Sequence, residues 1–208
     1  VNVIAHSKGG LDTREAIYTD PGAIANLGML ATPNGGSKLA NKLCFLRRLN
    51  INFVFDSQGA CDNDSNGLYD LQTGYVTGVF NQVVRDDPSV GYYVAAGNCS
   101  TKVTTFLCNA TANLGLDCEL RGGDSVVCVD SAFYLAQNYD HSSGSGIHTA
   151  LDPIFQDYDH SAMSVKACPV TRVLAELYPY ESQGNTWLDS GGTGCENSGS
   201  APSAAPNA

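Results

Sequence analysis

An α/β fold built on a parallel sheet is the class that the sequence predicts, and three observations point to it. A β-branched apolar run at Val1 to Ala5 is followed by a helical pattern and then by a second apolar run, Asn26 to Thr32. Strand, helix and strand in about 32 residues is the size of one parallel βαβ unit. A third apolar run at Val90 to Ala96 and a helical stretch at Pro169 to Leu177 continue the alternation.

Taken in order, V-N-V-I-A reads as a buried strand because it is short, apolar and β-branched. Gly9 to Tyr18 reads as a helix with Leu11, Ala16 and Ile17 facing inward, and Pro21 and Gly22 punctuate it. N-L-G-M-L-A-T is the second strand and ends in the turn P-N-G-G at Pro33 to Gly36. Ser37 to Leu49 carries Leu39, Leu43, Leu46 and Leu49 with basic residues between them, an amphipathic helical pattern. Phe45, Phe53, Val54 and Phe55 add apolar mass that reads as exposed. The stretch Q-G-A-C-D-N-D-S-N-G is a loop, and Leu68 to Val84 is expected to be helical. Residues 98 to 123 form a cysteine-bearing insertion, and Pro169 suits the first turn of the closing helix, where its missing N–H costs little. Residues 1–189 therefore read as one domain, and the Gly, Ser, Ala and Pro of residues 190–208 as a flexible tail.

With 208 residues, 43% of them apolar and 15% charged, the chain is long enough for a real core. A net charge of −10 argues against nucleic acid, which needs a basic stripe. Lys8, Arg14, Lys38, Lys42, Arg47 and Arg48 concentrate the positive charge near the start, and they read as solvated helix faces. The eight cysteines include no C-x-x-C pair, so a disulfide framework is the better reading than a metal site. Sequons at Asn63, Asn98 and Asn109 lie beside cysteines and point with them to a secreted glycoprotein. No apolar run approaches the roughly 18 residues of a membrane-spanning helix. The chain opens at Val1 with neither a methionine nor a signal peptide, so an upstream part is expected.

Chemistry concentrates in V-N-V-I-A-H-S-K-G-G, residues 1 to 10. A serine hydroxyl becomes a useful nucleophile when a base reaches it and donors await the oxyanion. A sharp strand-to-helix turn meets both needs, with small residues two before and two after the serine. Here Ala5 and Gly9 flank Ser7 in an A-x-S-x-G variant of that pattern. The backbone N–H of Lys8 is the expected oxyanion donor. His6 is adjacent to Ser7, so its ring should point away from the hydroxyl and serve packing or support rather than act as the base.

The segment A-H-S-K-G-G-L-D-T-R resembles the nucleophile region of bacterial secreted triacylglycerol lipases, members of the α/β-hydrolase superfamily. L-A-T-P-N-G-G-S at Leu30 to Ser37, L-Y-D-L-Q-T at Leu68 to Thr73, F-N at Phe80 and Asn81, and Y-Y-V-A-A-G before Asn98 are similar in order and spacing. The resemblance covers roughly residues 1 to 180. It implies a partial α/β-hydrolase fold, with residues 37 to 88 holding a helical lid. G-G-D-S-V-V-C-V at Gly122 to Val129 resembles the family's acid loop and implies Asp124 as the triad acid, with Asp130 the alternative.

In this fold the chain order is Ser, acid, His. Of His6, His141, His148 and His160, two share a near-identical context, N-Y-D-H-S at His141 and D-Y-D-H-S at His160. His160 is preferred as the base because it sits shortly before the closing helix, and His141 is the alternative. Asp157 and Asp159 flank His160 as either supporting or surface carboxylates. In the resembled lipases an Asp two residues after the histidine helps bind structural calcium; here Ala162 stands there, so no cofactor is expected. The second oxyanion donor comes from upstream in this fold. The chain is therefore expected to be a C-terminal part, slowed by about 10²–10³ if that donor is lost.

The function these residues imply is hydrolysis of a carboxylic ester, with a lipid or other ester as substrate and transient contact with a lipid surface. An acyltransferase or thioesterase would use the same triad. A secreted, non-catalytic hydrolase-like binding module is the reading from a different class.

Overall fold

The computed structural model describes residues 1–48, 61, 67–99, 118, 122–134 and 150–177. Four strands, β1 (Asn2–His6), β2 (Asn26–Leu30), β3 (Gly91–Asn98) and β4 (Ala150–Gln156), form one sheet in the order β1-β2-β3-β4. Every pairing is parallel, with Leu27 opposite Val3 and Tyr92 opposite Leu27. The predicted α/β class with a parallel sheet is the fold observed.

The helices are α1 (Lys8–Thr19), α2 (Lys38–Arg48), α3 (Thr73–Tyr75), a π-helical turn (Val76–Phe80), α4 (Asn81–Val83), α5 (Val129–Ala132), α6 (Ala162–Val165) and α7 (Ala167–Leu177). The first three predicted strands and the closing helix lie where the sequence placed them, within two residues. The helix expected from Leu68 starts only at Thr73 and contains the π turn. The strand β4 was not anticipated. It contains Asp152 and Pro153, residues that weaken a strand signal. Its pairing with β3 shifts between Val94 and Ala96, where Leu151 and Ile154 are the successive partners. Proline lacks a ladder donor and is confined to such irregularities and to edge strands.

Side chains alternate across the strands, giving a core on each face. On one, Ile17 of α1 packs with Leu27, Met29, Tyr92, Val94 and Ala96. On the other, Val173 and Leu177 of α7 pack with Leu30, Ala95, Phe155 and Met163. Gly28 lets α7 approach, since a Cβ there would lie 2.2 Å from Val173 Cγ1.

The inward stripe of α1 is Gly10, Leu11, Arg14 and Ile17, at helical spacing. Ala16, expected inside, is exposed. Arg14, expected on a solvated face, is 3% exposed. Its Nε donates to Asp86 Oδ1 at 3.0 Å, and its two terminal nitrogens donate to Asn34 Oδ1 at 3.2 Å and Asn81 Oδ1 at 3.0 Å. The Phe80 ring covers the guanidinium at 5.2 Å. The wider π turn thus brings two consecutive residues, Phe80 and Asn81, against one cation. Asn81 also donates to the Asn34 carbonyl at 2.9 Å, and Asn34 to the Ala132 carbonyl at 2.9 Å. Burial pushes the Asp86 carboxyl up, and Arg14 opposes that shift.

In α2 the buried positions are Ala40 and Cys44, while Leu39, Leu43 and Leu46 are half-buried and Phe45 is exposed. Leu49, Phe53, Val54 and Phe55 lie outside the described residues, as do Asn63, Asn109 and residues 190–208. Cys44 is bonded to Cys61 and Cys118 to Cys128; Cys99 and Cys168 are also disulfide-bonded. No cysteine among the described residues is free. None of the described helices is long and apolar enough to cross a membrane.

Two predictions follow from this packing. Arg14→Met leaves Asp86 buried without its cation and should cost about 3–5 kcal/mol in urea unfolding. Asn98 should stay unglycosylated despite its sequon, because its half-buried Nδ2 donates to Gln156 Oε1 at 3.0 Å. Peptide mass spectrometry of the protein expressed through a glycosylating secretory pathway would read this directly.

Candidate active site

Ser7 follows the last residue of β1 and immediately precedes α1. Its φ of 54° and ψ of −133° place a non-glycine residue in sparsely populated backbone space. The turn is held by the Ser7 N–H donating to the Leu30 carbonyl at 3.0 Å and by Gly10 N–H donating to the Ser7 carbonyl at 3.1 Å. Ala31, following β2, and Asp157, following β4, also have positive φ, at 51° and 66°. Strain therefore gathers where strands leave the sheet at its carboxyl edge, the usual place for sites in open α/β sheets.

The small residues of the turn do different work. A Cβ added at Gly9 would meet only Ala5 Cβ, at 3.9 Å, so Ala5 satisfies the motif's steric demand. A Cβ at Gly10 would lie 2.1 Å from Thr32 Oγ1 and 2.8 Å from Thr32 Cβ. Gly10, outside the five-residue motif, is where α1 touches the end of β2.

Asp124 and His160 converge on this turn from separate loops. His160 Nε2 lies 2.8 Å from Ser7 Oγ, and His160 Nδ1 lies 2.8 Å from Asp124 Oδ2. An ionised carboxylate only accepts, so Nδ1 carries the proton and Nε2 is left to accept from the Ser7 hydroxyl. Asp124 is 1% exposed, yet its oxygens are satisfied. Oδ1 accepts from the Val126 and Val127 N–H groups at 3.0 and 2.8 Å. Its own carbonyl accepts from the His160 N–H at 2.8 Å. Gly122 takes a left-handed φ of 75°, and a Cβ at Gly123 would strike Val127 O and Cys118 Sγ. Both glycines are thus required by the acid loop, and the Cys118–Cys128 bond closes it.

The residues singled out as site candidates are placed as follows. Ser7, Asp124 and His160 form one hydrogen-bonded chain. Lys8 opens α1, where the first N–H groups have no partner within the helix. Its side chain pairs with Asp12. Asp130 lies in the first turn of α5, outside that chain. His141 and His148 lie outside the described residues. Asp159 Oδ1 accepts the Ala162 N–H at 2.8 Å, so that carboxylate caps the turn into α6. Among the described residues, no group of three His, Cys, Asp or Glu side chains could hold a metal ion.

His6, read as a packing or supporting residue, lies against His160. Its ring centroid is 4.6 Å from that of His160, and its Nε2 is 2.8 Å from the His160 carbonyl oxygen. Burial, and then the proximity of His160, lower its pKa from the usual histidine value. Position next to Ser7 was its only sequence signal.

No family model matches the chain, and no curated protein matches it either. Solved structures do. The mature lipase BlEst2 of Bacillus licheniformis superposes with a TM-score of 0.55 at 21% identity, covering 84% of this chain and 64% of that one. The Staphylococcus hyicus lipase gives 0.55 at 15% identity over 93% of this chain and 71% of that one. The metagenomic carboxyl esterase MGS0156 gives 0.52 at 23% identity over 83% and 50%. The chain spans 64% of the mature Bacillus lipase and 35% of its propeptide form. At these identities the likeness establishes the fold, a parallel sheet flanked by helices of the α/β-hydrolase type.

The contrast between the two glycines is measurable. Gly10→Ala should lower stability by about 1–3 kcal/mol through overpacking against Thr32. Gly9→Ala should be neutral, or gain up to about 1 kcal/mol from helix propensity. Thermal melting of both variants checks the pair.

Proposed function

We propose that the chain carries the catalytic triad of a serine ester hydrolase. Ser7 attacks the ester carbonyl, His160 takes the hydroxyl proton and passes it to the leaving alcohol, and Asp124 holds the imidazole in its Nδ1–H tautomer. Water then attacks the acyl-enzyme through the same histidine. The observation that carries this reading is the Ser7–His160–Asp124 chain, with both contacts at 2.8 Å, on a strained strand-to-helix turn. The Lys8 N–H, at the positive end of α1, is the oxyanion donor the chain supplies.

Lipase and esterase structures share the fold, which supports an ester substrate without fixing its acyl chain. Exposed Phe45 on α2, together with Val79 and Val83 in the π turn and α4, gives the region assigned to a lid an apolar surface suited to brief contact with lipid. The disulfides support a secreted protein.

In the full-length protein, a fluorophosphonate probe should label Ser7, and Ser7→Ala should abolish both labelling and p-nitrophenyl ester hydrolysis. Unchanged turnover in Ser7→Ala would sink the proposal, and a folded protein that resists the probe would favour a binding module. Asp124→Asn should lower kcat by about 10⁴-fold by allowing the wrong tautomer at His160. Transfer to added alcohols or thiols would separate an acyltransferase or thioesterase from a hydrolase.

A further inference from the structure

We infer, on the catalytic reading of Ser7, Asp124 and His160 given above, that His6 is a positioning residue that holds the main chain of His160 so that its ring stays between Ser7 and Asp124.

Four polar positions fix His160. Three are occupied by Ser7 and Asp124: Nε2 faces Ser7 Oγ, Nδ1 faces Asp124 Oδ2, and the backbone N–H donates to the Asp124 carbonyl. The fourth, the backbone carbonyl, accepts from His6 Nε2–H at 2.8 Å. A carbonyl oxygen can only accept, so His6 is bound in the tautomer with its proton on Nε2. Its ring also lies against the His160 ring, inclined by 44°. The dipeptide His6-Ser7 thus grips the base twice, Ser7 at the ring and His6 at the backbone. Because β1 is anchored in the sheet, the grip ties the loop after β4 to the strand that carries the nucleophile.

Charge bears on this arrangement too. The ionisable groups acting on His6 are His160 and Asp124. A cationic His6 would oppose the imidazolium that must form at His160, whereas a neutral one donates its hydrogen bond without that penalty. Burial and His160 both favour the neutral form.

Two substitutions separate the donor from the ring. His6→Phe keeps a ring against His160 and removes the donor. His6→Gln keeps an N–H donor at similar reach. In spectra of the full-length protein with ¹⁵N-labelled histidine near neutral pH, His6 should be the neutral Nε2–H tautomer. In His6→Phe the His160 Nδ1–H signal should broaden or vanish, and kcat for an ester should fall about 10–100-fold, the scale of a small misplacement of a reacting group. KM should stay within about twofold, as for a loss confined to the transition state. His6→Gln should recover most of both signal and rate. A His6→Phe protein with an intact His160 signal and normal kcat would overturn the inference, as would His6→Gln failing as badly as His6→Phe. If the unsubstituted protein neither turns over esters nor labels at Ser7, the catalytic reading fails, and the His160 signal alone decides the role of His6.

Discussion

Parallel pairing is the constraint on which the rest of this structure depends. Because β1, β2, β3 and β4 all run the same way, their carboxyl ends lie along one edge, and each chain segment must leave the sheet there. Leaving abruptly forces unusual backbone angles, seen at Ser7, Ala31 and Asp157. Each strained residue costs on the order of 1–3 kcal/mol, so the surroundings must hold it. The Ser7 N–H bonds to Leu30 and the Ala31 N–H to Ala95, each borrowing a partner from the next strand. The sheet thereby extends its hydrogen bonding one residue past β1 and β2, and the strained serine stays presented rather than relaxing into the helix.

Two buried charges sit beside this edge and are handled differently. Asp124 is compensated mainly by donors: two backbone N–H groups and one imidazole, all within 3.0 Å. In the proposed mechanism these donors hold the carboxylate facing the imidazolium that forms at His160. Arg14 is compensated by one carboxylate, two amide oxygens and an aromatic face. Those groups come from the turn after β2, the π turn with α4, and the segment before β3. Arg14 therefore joins α1 to the region read as a lid, and the satisfied amides keep the cation from being left unpaired.

Much of this was legible in the residues. Strands β1 to β3, helices α1 and α7, and the turn at Ser7 follow from apolar runs of the right length with glycine or proline at their ends. Asp124 and His160 were named from chain order and a resembled loop, and the structure brings both to Ser7. What escaped had physical reasons. Pro153 and Asp152 hide β4, because a strand at an edge with an irregular register needs less β propensity. Arg14 reads as a solvated-face residue because a burial pattern written in apolar residues skips a cation, although 10, 11, 14 and 17 is a sound helical stripe. Ala16 reads as an inward residue for the converse reason, since alanine is apolar but equally at home in water. The role of Gly10 and the contact of His6 with His160 depend on partners 22 and 154 positions away, which no local pattern encodes.

The acid loop shows how covalent and steric constraints combine. Asp124 does not stand on a strand, yet its carboxylate must sit within hydrogen-bonding distance of a histidine 36 residues later. Cys118 and Cys128 close the loop around it over a separation of 10 residues. A cross-link of that span removes about 2–4 kcal/mol of chain freedom from the unfolded state. Inside it, Gly122 takes a left-handed turn, and Gly123 passes between Val127 and Cys118 where no side chain fits. Gly97 at the end of β3 lets the loop descend onto the sheet, since a Cβ there would lie 3.0 Å from Asp124 Cβ. The disulfide limits where the loop can go, the glycines let it come close, and the two valine N–H groups then orient the carboxylate. A loop so restricted can serve as a rigid mount for Asp124, as the sheet does for Ser7.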